Sequence, residues 1–60
     1  MNSNMLIKLL EADEWQLDRV KGSHHVFTHK TKKGIVVIPH PKKDIPKGTA
    51  NSILKQAGLK

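Results

Sequence analysis

The sequence predicts an α+β fold: a two-layer sandwich of order α-β-β-β-α, with a three-stranded antiparallel sheet and both helices on one face. Three observations carry this. Apolar residues recur at helical spacing near both ends of the chain, alternation of period two fills the middle, and two glycine-bearing turns separate the alternating runs. Short turns between consecutive strands require antiparallel pairing, and neither helix can bury its apolar face without the sheet.

At the start of the chain, Ser3 and Asn4 are candidate caps for a first helix whose apolar face is Met5, Leu6, Leu9 and Leu10, extended by Ala12. Acids in a last helical turn oppose the helix dipole, so this helix is expected to stop near Asp13. Trp15 to Val20 alternates, with Trp15 and Leu17 on one side and Gln16 and Asp18 on the other. Lys21-Gly22-Ser23 reads as a turn, and His24 to Lys30 as a second strand centred on Val26, Phe27 and Thr28. Thr31-Lys32-Lys33-Gly34 is a second short turn, its glycine free to take positive φ, before the strongest strand signal, Ile35-Val36-Val37-Ile38.

Pro39, Pro41 and Pro46 then enforce an extended loop, because proline and the residue before it avoid the helical region. Ala50, Ile53, Leu54 and Ala57 restore helical spacing, Lys55 suits the helix end, and Gly58 fits the position just beyond it. All four glycines are expected at element boundaries. Trp15, Leu17 and Phe27 are the expected sheet contribution to the core. Val26 has the opposite parity and is expected to leave apolar surface on the bare face of the sheet, either a harmless surplus or a docking face.

Sixty residues allow one domain, 1–60, and a chain this short buries only about 60% of its unfolded surface. There is no cysteine, so neither a disulfide framework nor a thiolate zinc site supports the fold. An apolar fraction of 37% is enough for a core and argues against a disordered basic tail. Lys8 interrupts the apolar stretch from Met5 to Leu10, so neither a signal sequence nor a membrane span is expected; the reading is a soluble, cytoplasmic domain.

Charge is the strongest compositional signal. Eleven Lys and Arg against five Asp and Glu give +6, with a pI near 10.0. Three of the acids crowd between Glu11 and Glu14, whereas eight of the bases lie between Arg19 and Lys47, opposed there only by Asp18 and Asp44. Such a strip is the footprint of a polyphosphate partner, and nucleic acid fits better than membrane because no basic amphipathic helix with a broad apolar face is present.

Four histidines lie in or beside that strip. His24 and His25 open the second strand and point to opposite faces, His29 follows at the parity of His25, and His40 sits in the proline loop. Without cysteine, and with the acids remote, no metal site is expected. An imidazole among lysines suits a different task. It exchanges protons near neutrality, and RNA carries a 2′-hydroxyl beside every phosphodiester that attacks it once deprotonated. Lysines would stabilise the charge that develops on phosphorus. His25, His29 and His40 stand as candidates for a second proton-transfer group, with water, a lysine or His24 itself as alternatives. A non-catalytic RNA-binding module and a pure protein-interaction domain are the competing classes.

The segments Lys21-Gly22-Ser23-His24-His25-Val26-Phe27, Ile38-Pro39-His40-Pro41-Lys42-Lys43-Asp44-Ile45, Pro46-Lys47-Gly48-Thr49 and Ser52-Ile53-Leu54-Lys55-Gln56-Ala57-Gly58-Leu59 together resemble the HicA toxin family. The resemblance covers essentially the whole chain. It implies a fold similar to the double-stranded-RNA-binding domain, an mRNA-cleaving endoribonuclease activity that arrests translation, and a HicB-type antitoxin as protein partner. It also implies that His24, immediately after Gly-Ser, is the catalytic residue. Lys21, Ser23, Lys42, Lys43 and Lys47 are the expected RNA-binding residues, and no cofactor is expected. The antitoxin is expected to be acidic where it meets Lys21, Lys42 and Lys43, and to cover Val26 on the outer sheet face.

Overall fold

The computed structural model describes residues 1–60. Helix α1 (Ser3–Ala12) is followed by strands β1 (Gln16–Lys21), β2 (His24–Thr28) and β3 (Val36–Pro39), and helix α2 (Lys47–Gln56) closes the chain. The strands form one antiparallel sheet in the order β1-β2-β3. The α-β-β-β-α order and the α+β class are as the sequence predicts, and the arrangement is compatible with a double-stranded-RNA-binding-domain-like fold. No helix is long and apolar enough to cross a membrane.

The core is a single cluster. Leu6 and Leu10 come from α1, and Ala50, Ile53 and Ala57 from α2 and its end. Trp15, Phe27, Val36 and Ile38 come from the sheet and its approach, and Ile45 from the loop before α2. Phe27 pairs with Val36 and His25 with Ile38, so these four share the helix-facing side. Both helices lie closest to β3.

Several expectations change at the level of packing. The cap of α1 is Asn2, whose side chain accepts the N–H of Met5 at 2.8 Å; Asn4 lies inside the helix. Ser3 is buried, and its hydroxyl faces the loop after β3 instead of capping. The buried stripe of α1 is Ser3, Leu6 and Leu10, with Ile7 partly covered, whereas Met5, Leu9 and Ala12 are exposed. A stripe i, i+3, i+7 suffices because the helix meets the sheet along one narrow line.

Leu17 is also exposed, for a different reason. β1 is an edge strand, every residue of it is solvent-exposed, and the helices sit toward β3. A register shift between Leu17 and Arg19 inserts Asp18 as an extra residue. The insertion reverses the parity of the strand, so that Leu17 (opposite Phe27) and Val20 (opposite His25) share the helix side without being covered. Val26 lies on the outer face but is only 5% exposed, so it is no free docking knob. It sits in the central strand with Arg19 and Val37 directly opposite, and these flank its short side chain on both sides.

Boundaries shift modestly. Trp15 precedes β1, β2 ends at Thr28, Ile35 lies outside β3, and the connection from His29 to Ile35 is longer than a tight turn. Gly48 falls within the first turn of α2, so not every glycine marks a boundary. Gly58, at φ 75°, ends α2 as expected. Its N–H donates to the carbonyl of Lys55 at 3.0 Å and that of Leu59 to Leu54 at 2.8 Å, the paired bonds of a Schellman ending.

Candidate functional site

The β1–β2 hairpin turns through Gly22 and Ser23, with Gly22 at φ 58°. Nothing lies within 4 Å of where a Gly22 Cβ would project, so the glycine serves the backbone conformation and not a close approach. This turn delivers His24 to the end of the sheet, exposed, with Lys21 directly opposite on β1 and Pro39 opposite on β3. The Ser23 carbonyl accepts the N–H of His40 at 2.7 Å, which ties the proline loop to the same turn. His24 and His40 therefore leave neighbouring stretches of backbone.

The loop after β3 is clasped to the start of α1. The N–H of Ser3 donates to the Lys42 carbonyl at 2.9 Å, and the N–H of Lys42 donates to the Ser3 hydroxyl at 3.0 Å. The same hydroxyl lies 2.7 Å from Nδ1 of His40. The His40 ring meets that of His25 edge to face, centroids 4.8 Å apart at 81°. His25 reaches this place from the helix side of β2, and its buried Nδ1 has no hydrogen-bond partner. A hollow of about 360 Å³ opens here, lined by Asn2, Ser3, Asn4, His40, Pro41, Lys42 and Lys43. Asp44, the next acid along the loop, lies instead 3.9 Å from the amino terminus.

Of the residues singled out in the sequence, the fold thus gathers Lys21, Ser23 and His24 at one turn, and brings His40, Lys42 and Lys43 alongside. Lys47 stands apart, in another hollow with Met1, Ala50, Asn51, Leu54 and Lys60. The basic strip is also less free than its composition suggests. Arg19 pairs with Asp18 at 3.0 Å, and Lys32 is bound to Asp13 and to the Ala57 carbonyl. No three His, Asp or Glu side chains converge closely enough to hold a metal ion.

His29 lies at the opposite end of the sheet and is wholly engaged in structure. Its Nδ1 accepts the N–H groups of Thr31 (3.1 Å) and Lys32 (3.2 Å), so its ring proton sits on Nε2 and donates to the Asp13 carbonyl at 2.6 Å. Trp15 packs on its ring at 5.1 Å, while the indole N–H donates to Ala57 at 3.2 Å. Sequence reasoning missed Ser3 as a partner of His40. A hydroxyl in a helix's first turn reads as a cap, and only the loop's return across 37 residues reveals its other use.

The HicA toxin family model, described as the HicA toxin of bacterial toxin-antitoxin systems, matches residues 3–59. The chain belongs to the HicA toxin family. The match runs through both helices and all three strands, and so takes in the hairpin turn, the proline loop and the Ser3 clasp as one unit. No curated protein matches the chain.

Proposed function

We propose that this HicA-family chain is a metal-independent endoribonuclease that cleaves mRNA, with His24 as general base and a HicB-type antitoxin as its inhibitor. The observation that carries the reading is the exposed His24 at the two-residue turn, opposite Lys21 and beside the loop of His40, Lys42 and Lys43, in a chain of a toxin family. His24 removes the 2′-proton, the 2′-oxygen attacks the adjacent phosphorus, and the bond from phosphorus to the 5′-oxygen breaks, leaving a 2′,3′-cyclic phosphate and, once that oxygen is protonated, a 5′-hydroxyl. Lys21, Lys42 and Lys43 hold the phosphates around the reacting one, with Ser23 as a hydrogen-bonding contact and Lys47 meeting the strand farther along. These contacts position RNA without reading its sequence, and the only aromatic side chains besides the histidines, Trp15 and Phe27, are both buried and unable to stack bases.

An acidic antitoxin surface over Lys21, Lys42 and Lys43 would compete with RNA for the same charges and hide His24, so inhibition and RNA binding exclude each other. The test is cleavage of a defined RNA by the purified protein in excess EDTA, wild type against His24→Ala. Wild type is expected to leave 2′,3′-cyclic phosphate ends and the variant to lose about 10²–10⁴-fold in rate. Equal rates would overturn the role of His24, and EDTA-sensitive cleavage the metal-free chemistry. Binding of RNA without cleavage would favour a plain RNA-binding module.

A further inference from the structure

In-line cleavage by a 2′-oxygen needs a second proton transfer, to the departing 5′-oxygen, and three histidines besides His24 could supply it. His29 uses both ring nitrogens within the fold, at the far end of the sheet. His25 has its Nδ1 buried and its ring packed on His40. His40 differs from both. Its Nδ1 is fixed by the Ser3 hydroxyl at 2.7 Å, its ring is braced by His25, and Nε2 is left for a ligand on a ring that lines the hollow with Lys42 and Lys43.

We propose that His40 is the general acid of this site, delivering its Nε2 proton to the leaving 5′-oxygen. The inference rests on the ribonuclease reading above. Its particular support is the Ser3 clasp. A proton donor must be held equally well before and after it gives up its proton. The Ser3 oxygen already accepts the Lys42 N–H, and its second lone pair can accept Nδ1–H of the His40 imidazolium. After Nε2 is deprotonated, the neutral ring keeps Nδ1–H, and the same bond to Ser3 survives. A hydroxyl adds no charge, so it orients the ring without trapping the proton on it.

The step balances. His24 takes the proton of the 2′-hydroxyl, the 2′-oxygen bonds to phosphorus, the bond from phosphorus to the 5′-oxygen breaks, and that oxygen takes the proton from His40. The products are a 2′,3′-cyclic phosphate and a 5′-hydroxyl, with His24 protonated and His40 neutral. Exchange with water restores both. The backbone brings the two residues to one end of the sheet, because Pro39 pairs with His24 and the N–H of His40 donates to the Ser23 carbonyl. His24 leaves on the outer face and His40 on the side of His25 and Ser3, so the proposal places the scissile phosphodiester across the end of the sheet between them.

The experiment compares an oligoribonucleotide carrying one scissile phosphodiester with its analogue bearing sulfur at the bridging 5′ position. A thiolate leaves without protonation, so only the ordinary substrate needs the acid. His40→Ala, and His40→Asn with a side-chain amide still able to meet Ser3, are expected to lose about 10²–10⁴-fold on the oxygen substrate. Both are expected to stay within a few-fold of wild type on the sulfur substrate, while His24→Ala fails on both. Equal loss on both substrates, or no loss on the oxygen one, overturns the proposal while leaving His24 as base. Indistinguishable wild type and His24→Ala overturns the ribonuclease reading, and this inference with it.

Wild type alone provides a readout that does not depend on variants folding. The groups facing His40 are His25 from β2, Ser3 from α1, and Lys42 and Lys43 from its own loop. If His40 is the acid, the alkaline fall in rate seen with the oxygen substrate disappears with the sulfur one. An alkaline fall of equal size on both assigns it to other groups and overturns the proposal.

Discussion

Lys32 donates its ammonium to the carboxylate of Asp13 and, at 3.0 Å, to the carbonyl of Ala57. One side chain thus joins the end of α1, the β2–β3 connection and the end of α2, around the buried Trp15 and His29. A side chain at Gly58 would be strained by its φ of 75°, and its Cβ would lie 3.0 Å from the Lys32 nitrogen, which would have to shift. This is the structural end of the molecule, and the histidine–lysine cluster at the other end of the sheet is the candidate reactive one.

The Lys32 hydrogen bond holds the Asp13 carboxyl below its ordinary value of 3.8, with partial burial opposing the shift. A depressed folded pKa contributes stability that is present above the unfolded value and is lost as pH falls through the folded one. Urea midpoints of wild type are therefore expected to fall more steeply below about pH 4 than those of Asp13→Asn. Parallel curves for the two proteins would mean that the pair contributes nothing measurable.

Leu6 and Leu17 separate burial from hydropathy. Leu6 is fully buried and Leu17 is 51% exposed on the uncovered edge of the sheet. Leu6→Ala is expected to cost about 2–5 kcal/mol, enough to unfold much of a domain this small. Leu17→Ala is expected to stay within about 0.5 kcal/mol of wild type. Chemical denaturation of both variants checks this, and a large loss at Leu17 would indicate that β1 is covered in solution.

Asn2 and Asn4 distinguish the observed cap from the one read in the sequence. Asn2→Ala is expected to destabilise by about 1 kcal/mol through loss of its bond to the Met5 N–H. Asn4→Ala is expected to be neutral or slightly stabilising, since alanine is the better helix former. The reverse order in thermal melts would place the cap at the wrong residue.

Lys42 and Lys43 share the hollow with His40, whereas Lys32 is occupied by Asp13. If both loop lysines contact phosphate, Lys42→Ala/Lys43→Ala lowers the slope of log K against log salt by about 1.4 on single-stranded RNA. Fluorescence titrations across a salt series measure it directly. An unchanged slope would show that these lysines only solubilise the loop.

The order of elements, the hairpin at Gly22-Ser23 and the second helix with its Gly58 ending were all legible in the sequence. They rest on local physics: side-chain periodicity, proline restriction and glycine at positive φ act over a few residues, and here agree with one another. His24 as the first residue after the turn was legible for the same reason, but its pairing with Lys21 was not: Lys21 reads as part of the turn in the sequence, whereas it ends β1 opposite His24. What the sequence could not disclose depended on chain segments far apart. The edge position of β1 left Leu17 uncovered, the extra residue at Asp18 put Val20 on the same side, and the seating of the helices near β3 exposed Met5 and Leu9. The return of the proline loop onto α1 made Ser3 the partner of His40, and pairing with Asp13 withdrew Lys32 from the basic strip. Each is settled by which surfaces meet once the layers stack, a property of long-range packing that no local pattern encodes.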